Sequence, residues 1–170
     1  FNEKLYIGKR EEVFVYNEST GNFDLFYHLA GKNITLSCLH LDKNKNLWLG
    51  TTSNGIYCLS EDKSLSRPVT KGNITSIYED SSNELWIGSW EEGLYRVKTD
   101  GSIENLRHNP MNTNSLCSNF VRSCCEDNSG DLWIGTFNGL NRYDRETGKF
   151  HLYTANGNSP DGLTHSSIWC

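Results

Sequence analysis

One phrase is written four times along the chain: Leu-Tyr-Ile-Gly at 5–8, Leu-Trp-Leu-Gly at 47–50, and Leu-Trp-Ile-Gly at 85–88 and 132–135. A period of about forty residues constrains the fold more than any bulk property, because each repeat must be one supersecondary unit stacked on its neighbours. The flanks align too. An Asp (Asp42, Asp80, Asp127) stands five positions before the tetrad's Leu, and a Gly (Gly55, Gly93, Gly139) follows it ahead of an apolar residue. The first and last units match further, FVYNESTGNFDLF at 14–26 against NRYDRETGKFHLY at 141–153.

Each unit parses into four short strands. An apolar strand such as ITSIYED runs into a turn of Asp, Asn, Ser and Gly, whose side chains bond their own backbone. The tetrad strand follows, then a short turn ending mostly in Gly, then a third strand, and an ETG-type turn leads into the fourth. No unit keeps a 3.6-residue period for a dozen residues. The spacing therefore predicts an all-β fold, a β-propeller fragment of antiparallel four-stranded blades with hairpins at 42–46, 80–84 and 127–131. The expected division is a partial blade at 1–33, blades at 34–72, 73–118 and 119–165, and the start of another at 166–170. Three complete blades fall short of the four to eight that close a ring. A fragment with unpaired edges near Phe1 and Cys170 is expected, and the opening at Phe1, without Met or an apolar leader, reads as a processed or excised piece.

A blade buries both faces, so its second strand should be apolar on both sides. In Leu-Trp-Ile-Gly, Leu and Ile point one way and Trp the other. Trp48, Trp86 and Trp133, with Tyr6 in their place in the first unit, are expected to pack between blades. The tetrad Gly is expected to admit a neighbouring backbone.

Composition narrows the function. The net charge of −5, from 16 basic and 21 acidic residues, gives no basic patch for nucleic acid. No run of 18 apolar residues exists to cross a membrane as a helix. Six Cys show no CxxC or Cys/His spacing. Cys38, Cys170, Ser76 and Ser123 fall at one repeat position, and Cys124 matches Leu39 and Ile77, so free core thiols are expected. Cys124 and Cys125 should point to opposite faces of a strand.

The stretch DNSGDLWIGTFNGLNRYDRETGKFHLY, preceded by HNPMNTNSLCSNFVRSCCED, resembles the two-component regulator propeller repeat. That repeat reads Asp-x-x-Gly-x-Leu-Trp-Ile-Gly-Thr, then Gly-Leu-x-Arg-Tyr-Asp, then Thr-Gly-x-Phe. The unit at 47–66 departs from it, ending in CLSEDKSLSRP. The resemblance implies a periplasmic sensor segment of an inner-membrane hybrid histidine kinase of Bacteroidetes, responding to an oligosaccharide. It further implies partners in the parent protein: remaining blades, a second propeller and a homodimeric arrangement. A protein-interaction scaffold without glycan binding is the alternative, and a blade set from a propeller enzyme a third.

Each chemical motif has a plainer reading beside it. The turn Asp-Lys-Asn-Lys-Asn at 42–46 mimics a calcium loop, but it lacks flanking helices, a hydrophobic strand occupies its middle, and position twelve is Ser53, with Glu91 and Asn138 in the other two units. A hairpin turn is expected, with no metal and no cofactor. The five His show no HExxH spacing, and the segment itself is expected to be non-catalytic. Asn-Ile-Thr at 33–35 and 73–75 fits a glycosylation pattern, but repetition accounts for both.

Binding is carried by the loops between second and third strands, at 9–12, 51–54, 89–92 and 136–138, which vary on a constant frame. Trp90 and Phe137 are aromatics in those loops. Trp90 lies beside Glu91 and Glu92, and Phe137 beside Asn138, an arrangement that can stack on a sugar ring and hold its hydroxyls. Arg10 and Asn54 complete the candidate ligand-binding set. Packing of these rings on a neighbouring loop is the plainer alternative.

Overall fold

The computed structural model describes residues 4–29, 34–69, 71–155 and 163–169. Phe1, Asn33 and Cys170, and the expectations placed on them, lie outside that set. The described residues hold no helix, and fifteen strands form four antiparallel sheets. The chain divides into two compact units, 1–73 and 74–170.

The first unit holds a three-stranded sheet, β1 (Tyr6–Lys9), β2 (Glu12–Asn17) and β3 (Asn22–His28). Its second sheet is β4 (Leu36–Leu41), β5 (Leu47–Thr51), β6 (Ile56–Leu59) and β7 (Leu65–Val69), in that order. In the second unit, β8 (Asn73–Glu79), β9 (Leu85–Trp90), β10 (Leu94–Val97) and β11 (Ile103–Leu106) pair in sequence. So do β12 (Val121–Glu126), β13 (Leu132–Thr136), β14 (Gly139–Asp144) and β15 (Lys149–Tyr153). Every strand pairs with its sequence neighbour, which is the meander that defines a propeller blade. The three hairpins fall at 42–46, 80–84 and 127–131, as the spacing predicts.

The tetrad strands are the cores of their sheets. All of β5 is buried, as is β9 up to its final Trp90. Trp86 is fully buried and Trp48 7% exposed, whereas Trp133 is only half-buried. The role of the repeated Asp becomes plain here: Asp42, Asp80 and Asp127 each accept the indole N–H of the Trp six residues on, at 2.8, 2.8 and 2.7 Å. The same carboxylates accept from the turn backbone at Asn46, Glu84 and Asp131. One side chain thus shapes the hairpin and satisfies a buried donor. The calcium-like turn is a hairpin whose lead carboxylate is already taken up by Asn46 and Trp48.

The two repeated glycines have separate roles, and one expectation needs correction. A Cβ on the tetrad Gly would meet a side chain of the next sheet, not a backbone. Gly8 faces Leu36, Gly88 faces Val121 at 2.8 Å, and Gly135 faces Ile168 at 2.9 Å. Gly55, Gly93 and Gly139 are the ones against backbone, with the carbonyls of Val69, Leu106 and Tyr153 at 2.1, 2.5 and 2.8 Å from a built Cβ. Gly8, Gly88 and Gly135 are therefore each a socket for one apolar residue of the segment that follows, Leu36, Val121 and Ile168.

The described cysteines are free thiols. Burial pushes the Cys38 and Cys58 thiols up to about 11 and lifts Cys124 higher still, while Cys125 is exposed.

Candidate functional site

Five aromatic and cationic side chains gather in the second unit. Trp90 ends β9, one residue beyond the ends of β5 and β13, so it belongs to a strand and not, as expected, to a loop. Its ring meets Phe120 edge-on, with centroids 5.1 Å apart. Phe120 in turn lies 6.2 Å from Phe137, whose backbone N–H donates to the Phe120 carbonyl at 3.0 Å. Phe137 keeps 49% of its surface exposed. The guanidinium carbon of Arg122 sits 4.4 Å from the Trp90 ring centroid and 3.8 Å from that of Trp169, which is 65% exposed.

The repeat explains this gathering. Trp90 and Phe137 each stand two residues past the tetrad Gly, where other units carry Arg10 and Thr52. Arg122 and Trp169 also share a repeat position, held by Ser37 and Thr75 elsewhere, directly after the residue that plugs the Gly socket. The socket fixes the strand and the next side chain is delivered to a set place. In the last sheet the pairing register shifts between Val121 and Ser123, so Arg122 lies at a bulge, a device that re-aims a side chain.

The candidate residues fare differently. Trp90 and Phe137 converge through Phe120, and Asn138 lies exposed beside them with its backbone N–H on the Thr136 hydroxyl at 3.2 Å. Glu92 is held by Arg107 at 2.5 Å, and Arg107 also donates to the Glu91 carbonyl at 3.1 Å. That ion pair braces the loop and engages the carboxylate of Glu92. Glu91 is exposed, at φ 84°. Arg10 and Asn54 belong to the first unit, where both are tied through backbone. The Arg10 carbonyl accepts from Leu36 at 2.9 Å and the Asn54 carbonyl from Arg67 at 2.9 Å.

Phe120, Arg122 and Trp169 were missed from sequence. The available signal was departure from the repeat: Ser37 and Thr75 are followed at the same position by Arg122 and Trp169. A cleft of about 630 Å³ in the first unit, lined by Lys4, Tyr6, Phe26, Asp42, Lys45 and Lys63 among others, contains none of the candidate residues. Two of its lysines are engaged: Lys45 pairs with Glu61 at 3.3 Å and Lys63 lies over Phe26 at 5.2 Å.

Chemically, the cluster offers ring faces, a cation and amides. Among the described residues no three His, Cys, Asp or Glu converge as a metal site would require. His108 places Nδ1 on the Leu116 carbonyl at 2.8 Å, a tie within its own loop.

The family model described as the two component regulator propeller matches residues 28–53, 68–91 and 115–138. No curated protein sequence matches the chain. Among solved structures, an extracellular domain assigned to a hybrid two component system of B. thetaiotaomicron is 19% identical over 97% of this chain, with a TM-score of 0.63. PorZ of the type-IX secretion system of Porphyromonas gingivalis is 17% identical over 99%, with a TM-score of 0.71. A gluconolactonase from Xanthomonas campestris is 16% identical over 88%, with a TM-score of 0.62. The chain spans 29%, 28% and 58% of those three proteins, respectively. At such identities the likeness is one of fold, and it is shared by an extracellular domain of a two component system, a secretion component and an enzyme. This chain matches the two-component regulator propeller repeat in those three stretches, and its antiparallel sheets are those of an all-β propeller fragment.

Proposed function

We propose that this chain is a ligand-sensing segment in the extracytoplasmic region of a two component regulator, that its ligand is an oligosaccharide, and that it binds without catalysis. The observation that carries the reading is the Trp90–Phe120–Phe137 cluster, set on the ends of paired strands with Phe137 half-exposed. Ring faces held by a rigid sheet lose little freedom on binding, and each Å² of sugar C–H surface they cover contributes about 25 cal/mol. Exposed Asn138 beside Phe137 supplies an amide for hydroxyls. The match to the regulator repeats and the extracellular assignment of a structural neighbour support the location. In the parent protein, further blades would complete the ring and supply the rest of the sensor region.

Calorimetric titration of the full chain with a panel of oligosaccharides tests this. Phe137→Ala should weaken binding about tenfold, or about 1.4 kcal/mol, with an unchanged melting midpoint because the ring is half in solvent. Absence of binding to every member of the panel by a folded protein overturns the reading, in favour of a surface that docks protein.

A further inference from the structure

The geometry points to Arg122 as an anion-recognising residue that makes this site select acidic saccharides, those carrying a carboxylate or a sulfate ester. The inference rests on the ligand-sensing reading and adds the chemical class of the ligand.

Five arginines lie in the second unit, and four of them have carboxylate partners. Arg96 pairs with Glu84 at 2.7 Å, Arg107 with Glu92 at 2.5 Å, Arg142 with Asp131 at 3.3 Å and Arg145 with Asp80 at 2.7 Å. Arg122 is the exception. Among the described residues no carboxylate pairs with it, and its Nε, like that of Arg142, is buried without a hydrogen-bond acceptor. A buried donor left open carries a desolvation cost, and so asks for an explanation. This chain has 21 acidic residues and a net charge of −5, so carboxylates are not scarce.

What holds the cation is a pair of indoles, Trp90 at 4.4 Å and Trp169 at 3.8 Å. A guanidinium stays charged at any physiological pH, and aromatic contact retains that charge without neutralising it. The bulge at Arg122 aims the side chain into this gap. The result is a positioned, uncompensated cation whose planar fork matches a carboxylate or sulfate through two parallel N–H bonds. It sits beside exposed ring surface on Trp169, within the same cluster as half-exposed Phe137. An acidic sugar satisfies both halves at once: its ring covers the aromatic surface and its anionic group takes the terminal guanidinium N–H donors, which unlike Nε are not buried.

The test titrates the full chain with three sets of probes of equal length: oligogalacturonates carrying carboxylates, carrageenan oligosaccharides carrying sulfate esters and no carboxylate, and neutral xylo-oligosaccharides. Acidic probes should bind at least tenfold more tightly than neutral ones, and their affinity should drop as salt is raised. Arg122→Met should remove that preference, and Arg122→Lys, which keeps the charge but not the fork, should retain part of it. A stronger carboxylate arm assigns uronates, and a stronger sulfate arm assigns sulfate esters. Neutral probes binding as well as acidic ones, or Arg122→Lys and Arg122→Met both leaving the preference intact, overturns the inference while the ligand-sensing reading stands. Binding of no probe from any set overturns both.

Discussion

Trp86 has no exposed surface, and its indole N–H ends on Asp80 at 2.8 Å, so truncation would remove packing and one of that carboxylate's hydrogen bonds together. Trp86→Ala should cost about 4 kcal/mol, in the range of large aromatic truncations. Trp133 makes the same hydrogen bond and meets Tyr153 at 5.5 Å, but it is half-buried. Trp133→Ala should cost about half as much, because less apolar surface returns to water. Denaturant melts of the two variants check the ranking, and equal losses would contradict it. Burial also separates these residues from Trp90. Partly covered by Phe120 and Arg122, Trp90 would cost both stability and binding if truncated, which makes Phe137 the cleaner probe of the site.

Between strands, the sockets at Gly8, Gly88 and Gly135 set how closely one sheet or segment approaches the next within its unit. At Gly88 an added methyl would lie 2.5 Å from Ser76 Oγ and 2.8 Å from a Val121 methyl. Gly88→Ala should therefore destabilise by roughly 1–3 kcal/mol, the usual cost of overpacking. Val121→Ala introduced with it should recover part of the loss, since the second change empties the space that the first fills. Additive losses in that double-mutant cycle would show that the two side chains do not compete. The hairpin turns show the same economy of design. Lys45, Asn83 and Gly130 occupy one turn position, at φ of 66°, 63° and 85°, so the left-handed turn persists even where Gly is replaced. The Asp carboxylate that leads each turn holds it in shape.

At the scale of the molecule, an ion cluster in the second unit ties together residues distant in sequence. Arg145 donates to Asp80 at 2.7 Å and to Glu126 at 2.9 Å, while Ser81 bonds Glu126 through both backbone and hydroxyl. Burial pushes the Asp80 carboxyl up, but hydrogen bonds from Trp86, Arg145 and the Glu84 backbone, with the Arg145 charge, more than offset it and hold the group below its ordinary range. A depressed folded value means that this stability is fully present above the unfolded value near about 3.9 and is lost as pH falls through the folded value. The melting midpoint should hold from neutral pH to about 4 as far as this group is concerned, then decline. Asp80→Asn should lower stability at pH 7 by roughly 3 kcal/mol, because Arg145 loses a buried partner, and should flatten the acid limb. An acid limb identical in both proteins would place the titration elsewhere.

The sequence by itself determined the period, the four strands of each unit, the hairpins at 42–46, 80–84 and 127–131, and the burial of Trp48 and Trp86, because all of these are local or repeated. A repeat reports its own structural positions: whatever recurs at the same offset must solve the same packing problem. It also drew attention to Trp90 and Phe137, which depart from it. Only the tertiary structure decided what those departures meet. Asp80 reads as a turn residue until Trp86 and Arg145 are seen on its carboxylate, and Glu92 reads as a free acid until Arg107 is found on it. Phe120, Arg122 and Trp169 reach the site from other strands and loops, delivered by sockets at Gly88 and Gly135 and by a bulge at Arg122. Contacts between side chains tens of residues apart depend on how sheets stack, and stacking is fixed by close packing across the whole unit, which no local pattern encodes.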